Sequence, residues 1–214
     1  MKNQDINYVK VSISNKPNYS VECTNKSNQV KHIYFYQKFD NQSDKTASLV
    51  WAVTEFKLDK NTSFKFSWED ILNFIWQGSG LIQPRVTLEY QGITAAETYS
   101  MIDFTYLDDT PLFCCTNIST SEGLKVNTRN NIPKNTFGIG IGMSNEATFL
   151  EQALPSKTTS FSCNSSIWIA FGDSIEKGMV LPSVCEDPTY KISFPSNVYS
   201  LSLNYTDDGF TTEK

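Results

Sequence analysis

The 214-residue chain contains only one histidine, His32. A single imidazole excludes metal sites built from several histidines and mechanisms that need a histidine pair. His32 directly precedes the apolar residues 33–36, so it falls at the start of a predicted strand. It could act as a general base, but no G-x-S-x-G elbow or recognisable cysteine setting supplies a nucleophile. A strand-edge histidine without a chemical role is therefore the favoured interpretation.

Positive charge is also scarce. The chain has 18 Lys and Arg against 23 Asp and Glu, a formal net charge of -5, and its arginines are Arg85 and Arg129 alone. Nucleic-acid binders need a basic stripe that displaces counterions from phosphates. We therefore expect no nucleic-acid partner.

Long apolar runs are missing. The most apolar stretches, such as residues 167–171, have the length of a strand and fall far short of the roughly 20 residues that cross a bilayer. The first residues, Met1 to Asp5, lead into no apolar segment of signal-peptide length. These patterns predict a soluble, cytoplasmic chain that is not transmembrane.

Cysteine is present in an odd number and without a C-x-x-C motif, which argues against a closed disulfide framework. We expect buried, reduced thiols, with one disulfide or a metal thiolate as the alternatives. Seven N-x-S/T sequons match an abundance of Asn, Ser and Thr, and we expect them to stay unmodified in a cytoplasmic protein. The cysteines are Cys23, Cys114, Cys115, Cys163 and Cys185, and the sequon asparagines are Asn18, Asn25, Asn41, Asn61, Asn117, Asn164 and Asn204.

What dominates the chain is alternation of apolar and polar residues with period two. Such runs occur at residues 9–13, 64–68, 86–90 and 199–205, separated by turn clusters rich in Asn, Asp and Pro. Alternation of this kind predicts antiparallel strands that bury one face. The one helical alternative, residues 68–76, is interpreted as a short turn into a strand because Gly78 and Gly80 follow it.

No tandem repeat and no linker stand out along the chain. The patterns therefore predict an all-β, single-domain antiparallel β-sandwich over residues 1–210, followed by a loose tail at residues 211–214.

The glycine-rich stretch at residues 138–143 superficially resembles a phosphate-binding loop. Such loops need a following helix whose N-terminal amides meet the phosphate, and no helix follows here. We interpret the glycines as positions on a strand where another backbone or a bulky ring packs closely.

Acidic residues offer two further hypotheses. The pairs Asp108-Asp109 and Asp207-Asp208 could bind calcium if their loops converged, although neither has EF-hand spacing. Carboxylate pairs for glycoside hydrolysis meet only in space, so spacing selects none of them. The glutamates considered are Glu55, Glu69, Glu89, Glu97, Glu122, Glu146, Glu151 and Glu176.

Several segments together resemble the RhiA-like family, named for a protein expressed abundantly by rhizosphere bacteria. The most specific are G-I-G-M-S at 140–144, W-I-A-F-G at 168–172 and F-P-S-N-V-Y-S at 194–200, within a resemblance that spans residues 18–210. The chain departs from the family pattern at Arg85 and Asn145, two turn positions where glycine is expected. The resemblance implies a small, highly expressed soluble protein, and it transfers no catalytic residue.

These observations predict a non-enzymatic structural or interaction protein without cofactors, which could self-associate as a homo-oligomer through exposed strand edges. The alternative is a carbohydrate- or lipid-binding module, with or without calcium, that uses aromatics such as Trp51, Trp76 or Tyr106. A hydrolase is the least favoured hypothesis. The sequence assigns no catalytic, metal or ligand-binding residue.

Overall fold

The computed structural model of the protein describes residues 17–78, 80–88, 92–119, 122–185 and 187–212. These ranges contain strands and turns and no helix, which confirms the all-β prediction. The strands are β1 (Asn18–Asn25), β2 (His32–Lys38), β3 (Ala47–Ser48), β4 (Val50–Val53), β5 (Ser63–Glu69), β6 (Leu72–Gln77), β7 (Gly92–Ala95), β8 (Ser100–Leu107), β9 (Thr110–Ser119), β10 (Leu124–Thr128), β11 (Gly138–Met143), β12 (Glu146–Gln152), β13 (Thr158–Phe161), β14 (Ser166–Gly172), β15 (Thr189–Ile192), β16 (Ser200–Thr206) and β17 (Gly209–Thr212).

The strands form four sheets that pack in pairs as two sandwiches. In the first sandwich, sheet I (β17-β16-β1-β5) faces sheet II (β15-β14-β2-β4) around a core that contains Phe35, Trp51 and Phe171. In the second sandwich, sheet III (β3-β12-β11-β6-β7) faces sheet IV (β13-β10-β8-β9) around Phe74 and Phe104. The runs at 64–68 and 199–205 bury one face of β5 and β16, as the alternation predicts, whereas β11 is buried on both faces.

The chain ends build the first sandwich, and the middle of the chain builds the second. Strands β1, β2, β4 and β5 form the first sandwich together with β14 to β17, whereas β6 to β13 form the second, to which the short strand β3 is added at the edge of sheet III. The backbone therefore leaves the first sandwich after Glu69 and returns to it at Ser166.

The two sandwiches have the same topology, which reveals an internal repeat that inspection of the sequence did not find. Replacing β1, β2, β4 and β5 by β10 to β13, and β14 to β17 by β6 to β9, converts the strand order of one sandwich into that of the other. Each sandwich also contains one parallel pair, β1 with β16 and β8 with β10, where the sequence predicts antiparallel neighbours. Residues 18–119 and 124–212 are thus two repeats that exchange half of their strands.

Local details support the repeat. Asp108-Asp109 and Asp207-Asp208 each form the two-residue loop of a hairpin, and each pair follows a tyrosine by two residues. Both repeats carry a register shift at equivalent places, between Phe35 and Tyr36 in β2 and between Ile141 and Gly142 in β11. Within each strand, the numbers of equivalent residues therefore differ by a constant, and Phe35 of sheet II corresponds to Ile141 of sheet III.

Sheets II and III meet edge to edge where the repeats adjoin. β3 pairs with β12, and β4, one residue further on, pairs with β2. The equivalent residues Gln37 and Met143 touch across this junction, with Gln37 Nε2 donating to Met143 Sδ at 3.4 Å.

Two long loops cover the outer faces of sheets II and III. They are the β6–β7 and β14–β15 connections, which occupy equivalent places in the two repeats. They pair with each other at Thr87 and Met179, and Val180 pairs with Leu49 of the junction. Apolar side chains beneath them form two further clusters, one around Tyr34 and Tyr36 and one around Leu150 and Val180.

Some predicted boundaries change. Thr211 and Thr212, expected in the tail, pair with Asn204 and Leu203 as part of β17, because the hairpin loop at 207–208 returns the chain to β16. Of the run at 86–90, the described part contributes a bridge at Thr87, and the run at 9–13 lies outside the described residues. The single-domain boundary stays a prediction. Within the described ranges, no helix has the length and apolar character needed to span a membrane.

Candidate functional site

The repeats differ most where β2 leads into β3. Repeat two turns from β11 into β12 through two residues, Ser144 and Asn145, whereas repeat one uses the eight residues 39–46, called here the inserted loop. A hydrogen-bond network shapes this loop, because Gln42 Nε2 donates to Thr46 O at 2.8 Å and to Ser48 Oγ at 3.1 Å. Phe39 anchors its start by stacking on Phe149 at 3.8 Å between ring centroids.

The inserted loop forms one wall of a cleft of about 570 Å³, called here the junction cleft. The opposite walls come from the end of β12 with the turn that follows it and from the covering loops. A volume of this size suits a small-molecule ligand. The lining residues are Tyr36, Lys38, Gln42, Ser43, Asp44, Lys45, Thr46, Ala47, Ser48, Ile82, Pro84, Glu151, Gln152, Leu154, Lys157, Val180, Leu181, Pro182, Ser183 and Cys185.

A buried carboxylate lies at the centre of the polar wall. Glu151 is 7% exposed, and its Oε1 accepts a hydrogen bond of 2.5 Å from the Thr46 hydroxyl of the inserted loop. Lys157 Nζ donates to Oε2 at 3.2 Å. A buried carboxylate without such partners would cost several kcal/mol, so the lysine and the hydroxyl together offset the cost of burying Glu151.

The remaining wall is rigid, and the floor is apolar. Gln152 Nε2 donates to Phe137 O at 2.8 Å, and its Oε1 accepts from the Ile82 amide at 3.2 Å, which fixes the covering loop against β12. Val180 and Leu181, both nearly buried, provide the floor. The cleft thus combines fixed donors and acceptors with an apolar base.

His32 lines a second cleft, of about 610 Å³, at the place equivalent to part of the junction cleft. Its Nδ1 lies 2.9 Å from Thr54 O and 3.2 Å from Thr54 Oγ1, and the hydroxyl also accepts from the Ile33 amide. Thr54 is the equivalent of Glu151 in this repeat. Because a carbonyl accepts hydrogen bonds, this contact favours a proton on Nδ1. It also fixes the orientation of the ring at the start of β2.

Asp173 borders the His32 cleft, and two lysines hold it there. Lys57 Nζ donates to its Oδ1 at 2.9 Å, and Lys31 Nζ lies 3.6 Å from Oδ2. The hydrogen bond from Lys57, together with the positive charges, holds the pKa of the Asp173 carboxyl below its usual value. This carboxylate is therefore engaged in ion pairs with lysines of two other connections, before β2 and after β4.

Beside the junction cleft, the Tyr34 hydroxyl lies 2.9 Å from Asp187 Oδ2 and 3.2 Å from Cys185 Sγ. Burial, followed by these two neighbours, raises the pKa of Tyr34 well above its ordinary value. Burial likewise raises the pKa of Tyr36. Both phenols therefore stay neutral, and the cluster ties the β14–β15 loop to sheet II.

Of the aromatics suggested for ligand binding, Trp51 lies in the first core, and Trp76 and Tyr106 are partly buried against the second. Trp51 is 1% exposed, and Trp76 packs on Phe104 and Phe137, while Tyr106 packs on Phe137 at 5.5 Å. None of the three lines the junction cleft. Their burial follows from the alternation of the strands, which sends large rings to the interior.

The acidic pairs serve as hairpin loops. Asp108 and Asp109 both have positive φ, as the tight hairpin requires. Asp207 accepts hydrogen bonds from Asn28 at 3.4 and 3.5 Å. Among the residues that the structure describes, no group of three or more His, Cys, Asp or Glu side chains is placed to hold a metal ion.

The glycine-rich stretch is β11, in the interior of sheet III. A Cβ on Gly140 would lie 1.9 Å from Phe149 O, and one on Gly142 would lie 2.0 Å from Glu146 O. This confirms the interpretation that the glycines admit a neighbouring backbone.

The thiols that the structure describes are free, namely Cys23, Cys114, Cys163 and Cys185. Burial raises the pKa of Cys23 to about 12. The side chain of Cys115 lies outside the described part of the chain.

Comparison with known proteins places the chain in a family. A family model described as RhiA matches residues 16–213, and the chain belongs to that family. It is similar to Protein RhiA of Rhizobium leguminosarum bv. viciae, with 31% identity over 185 residues that cover 86% of this chain and 80% of that protein. No solved structure matches the chain.

The sequence reasoning missed the residues that converge on the junction cleft. Glu151 is one of the eight glutamates considered above, and Thr46 and Lys157 belong to no motif. The inserted loop has the composition of an ordinary polar turn. The one available signal was the repeated Tyr-x-Asp-Asp string at 106–109 and 205–208, which would have aligned the repeats and exposed the loop as an insertion.

Proposed function

We propose that the chain is a non-enzymatic binding protein whose ligand occupies the junction cleft. One observation carries the proposal: the inserted loop, present in one repeat only, closes a cleft around Glu151. Segments inserted into a duplicated scaffold are positions where function is added, since loops carry binding residues on a rigid framework. The absence of catalysis and a cytoplasmic location remain predictions from the sequence.

The groups in the cleft favour binding over turnover. Both carboxylate oxygens of Glu151 are engaged, one by Thr46 and one by Lys157. A general base must accept a proton at an oxygen aimed at the reacting atom, and here Thr46 and Lys157 already hold both oxygens of the carboxylate. The cleft is therefore better suited to hold a ligand by hydrogen bonds.

Two-dimensional NMR of the isotope-labelled chain tests this function. Titration with separate mixtures of saccharides, fatty acids and phosphorylated small molecules should give shift changes at Thr46, Glu151 and Leu181 for at least one mixture. Changes confined to surfaces away from the junction cleft would contradict the assignment of the site. Chemical conversion of a bound compound by the wild-type chain would contradict the non-enzymatic part.

Self-association through strand edges has weaker support. The edge strands β7, β13, β15 and β17 have four residues each, and Lys65 lies on the edge strand β5. Short edges and edge lysines oppose pairing with another copy. The longer edge strand β9 carries Pro111 and an irregular register with β8. Native mass measurement over a range of concentrations tests self-association. A monomer at every concentration would contradict it.

A further inference from the structure

The junction cleft presents a hydrogen-bond acceptor and a donor side by side. Glu151 Oε2 and Lys157 Nζ are 3.2 Å apart, and the Thr46 hydroxyl fixes the other carboxylate oxygen. Each of these charged groups has further hydrogen-bonding capacity. Two adjacent hydroxyl groups of a ligand can therefore be held together, one donating to Glu151 and the next accepting from Lys157.

The rest of the lining suits a ligand that is polar at its edge and apolar on its face. Asp44 and Ser183 add exposed polar groups at the rim, whereas Val180, Leu181 and Ile82 offer an apolar floor. A sugar ring has this character, with hydroxyls around its edge and C–H groups on its faces. Fixed polar groups over an apolar base are also the usual composition of small-molecule sites.

Charge argues against the other ligand classes. An anionic ligand would meet the buried carboxylate of Glu151, and a cationic ligand would meet Lys157, Lys38 and Lys45. An acyl chain would have to strip water from these charged groups without replacing its hydrogen bonds, which is unfavourable. A neutral ligand rich in hydroxyls avoids all three costs.

We propose that the ligand of the junction cleft is a neutral saccharide, held through adjacent hydroxyls by the Glu151–Lys157 pair, an inference that rests on the function proposed above. Glu151 and Lys157 are binding residues in this assignment, and Thr46 positions the carboxylate. The inserted loop is required because it supplies Thr46.

A glycan array carrying neutral and acidic oligosaccharides, followed by calorimetric titration of the best neutral hit, tests the assignment. Glu151→Gln keeps the shape of the side chain and removes its charge, and should weaken binding at least about tenfold, the usual effect of losing a charge-assisted hydrogen bond. The matched control is Glu146→Gln on the same strand, since Glu146 also pairs with a lysine, Lys177 Nζ at 2.7 Å, but does not line the junction cleft. It should leave the affinity within about twofold, because exposed ion pairs contribute little.

Ser183→Trp provides a second test that does not disturb a buried group, because Ser183 is an exposed rim residue. The indole should block the cleft and abolish saccharide binding without changing the melting temperature. If phosphatidylcholine liposomes or inorganic phosphate bind in a Ser183→Trp-sensitive manner and neutral sugars do not, the saccharide assignment is wrong and the binding function stands. If no probe gives binding that this variant removes, both proposals fail.

Discussion

The two sandwiches share one topology but use it differently. In the second sandwich, sheet III carries Gly140 and Gly142 where sheet II of the first carries Tyr34 and Tyr36. The glycines let Leu150 and the neighbouring backbone close over β11, whereas Tyr34 holds the covering loop through Asp187 and Cys185. The comparison teaches that the repeat preserves strand order and register, while side-chain size on the outer faces decides how each half is covered.

The largest expected effect on the free energy of unfolding concerns the glycines of sheet III. Gly140→Ala places a methyl group against Phe149 O, which neither strand can move away from, so we expect a loss of more than about 4 kcal/mol in the free energy of unfolding. Gly138→Ala on the same strand meets only the flexible end of Ile82 at 3.2 Å and should change that free energy by less than about 1 kcal/mol. Urea unfolding of the two variants measures both. Similar costs for the two would mean that close backbone approach does not explain the glycines.

Truncating one core ring in each sandwich tests whether the halves unfold together. Phe35→Ala in the first sandwich and Phe104→Ala in the second remove fully buried rings, and each should cost about 3–5 kcal/mol. Because the repeats exchange strands and sheets II and III are joined, both variants should shift one cooperative transition, as a single domain requires. Calorimetry checks this by comparing calorimetric and van't Hoff enthalpies. A split transition in which each variant moves a different half would overturn the single-domain prediction.

The outer faces of sheets I and IV differ by one buried charge. Asp103 of β8 is 8% exposed and binds Arg129 and Asn127, whereas its equivalent in β16, Ser202, is exposed. Asp103→Ala leaves the Asn127 amide and the half-exposed Arg129 guanidinium without their acceptor, and it should cost about 1–3 kcal/mol. Ser202→Ala should stay within about 0.5 kcal/mol, as is usual for surface positions. Equal changes in the free energy of unfolding of the two variants, measured with urea, would show that Asp103 does not stabilise its face of the sheet.

Alkaline pH should lower the free energy of unfolding mainly through groups of the first sandwich. The described groups whose pKa is raised by burial, Cys23, Tyr34, Tyr36 and Tyr205, all belong to the first sandwich. A raised folded-state pKa means that the unfolded chain releases its proton first, so the stabilisation is complete below the unfolded pKa and is lost as pH rises. For Cys23 this window runs from its ordinary value of 9.0 to about 12.

Cys23→Ala should therefore reduce the loss of stability between neutral pH and about pH 10, relative to wild type. Its counterpart in the second sandwich, Thr128→Ala, should leave the slope of stability against pH unchanged. Unfolding free energies at several pH values give these slopes. The same slope for wild type and Cys23→Ala would rule out a contribution from the thiol.

Much of the architecture could be predicted from period-two alternation. The runs at 64–68 and 199–205 became β5 and the core of β16, and the stretch at 138–143 became β11, because burying one face of a strand leaves a direct mark in the sequence. The internal repeat left almost no recognisable pattern in the sequence. Equivalent positions on the outer faces of the sheets differ as much as Tyr34 and Gly140 do, whereas core-facing pairs such as Phe35 and Ile141 agree in apolar character.

The junction cleft was not predictable for a related reason. Thr46 precedes β3 and reaches Glu151 because β3 pairs with β12, whereas Lys157 comes from the turn that follows β12. The hydroxyl and ammonium partners of Glu151 are set by the path of the inserted loop and by the turn after β12, neither of which has a sequence signature. Spacing along the chain carries no information about such a meeting.

The most direct test of the account is a crystal structure of the chain with the best neutral saccharide from the glycan array. We expect the sugar in the junction cleft, with adjacent hydroxyls on Glu151 and Lys157 and the ring on Leu181. A sugar seated in the equivalent cleft beside His32, or on the outer face of sheet I, would contradict the claim that the inserted loop created the binding site.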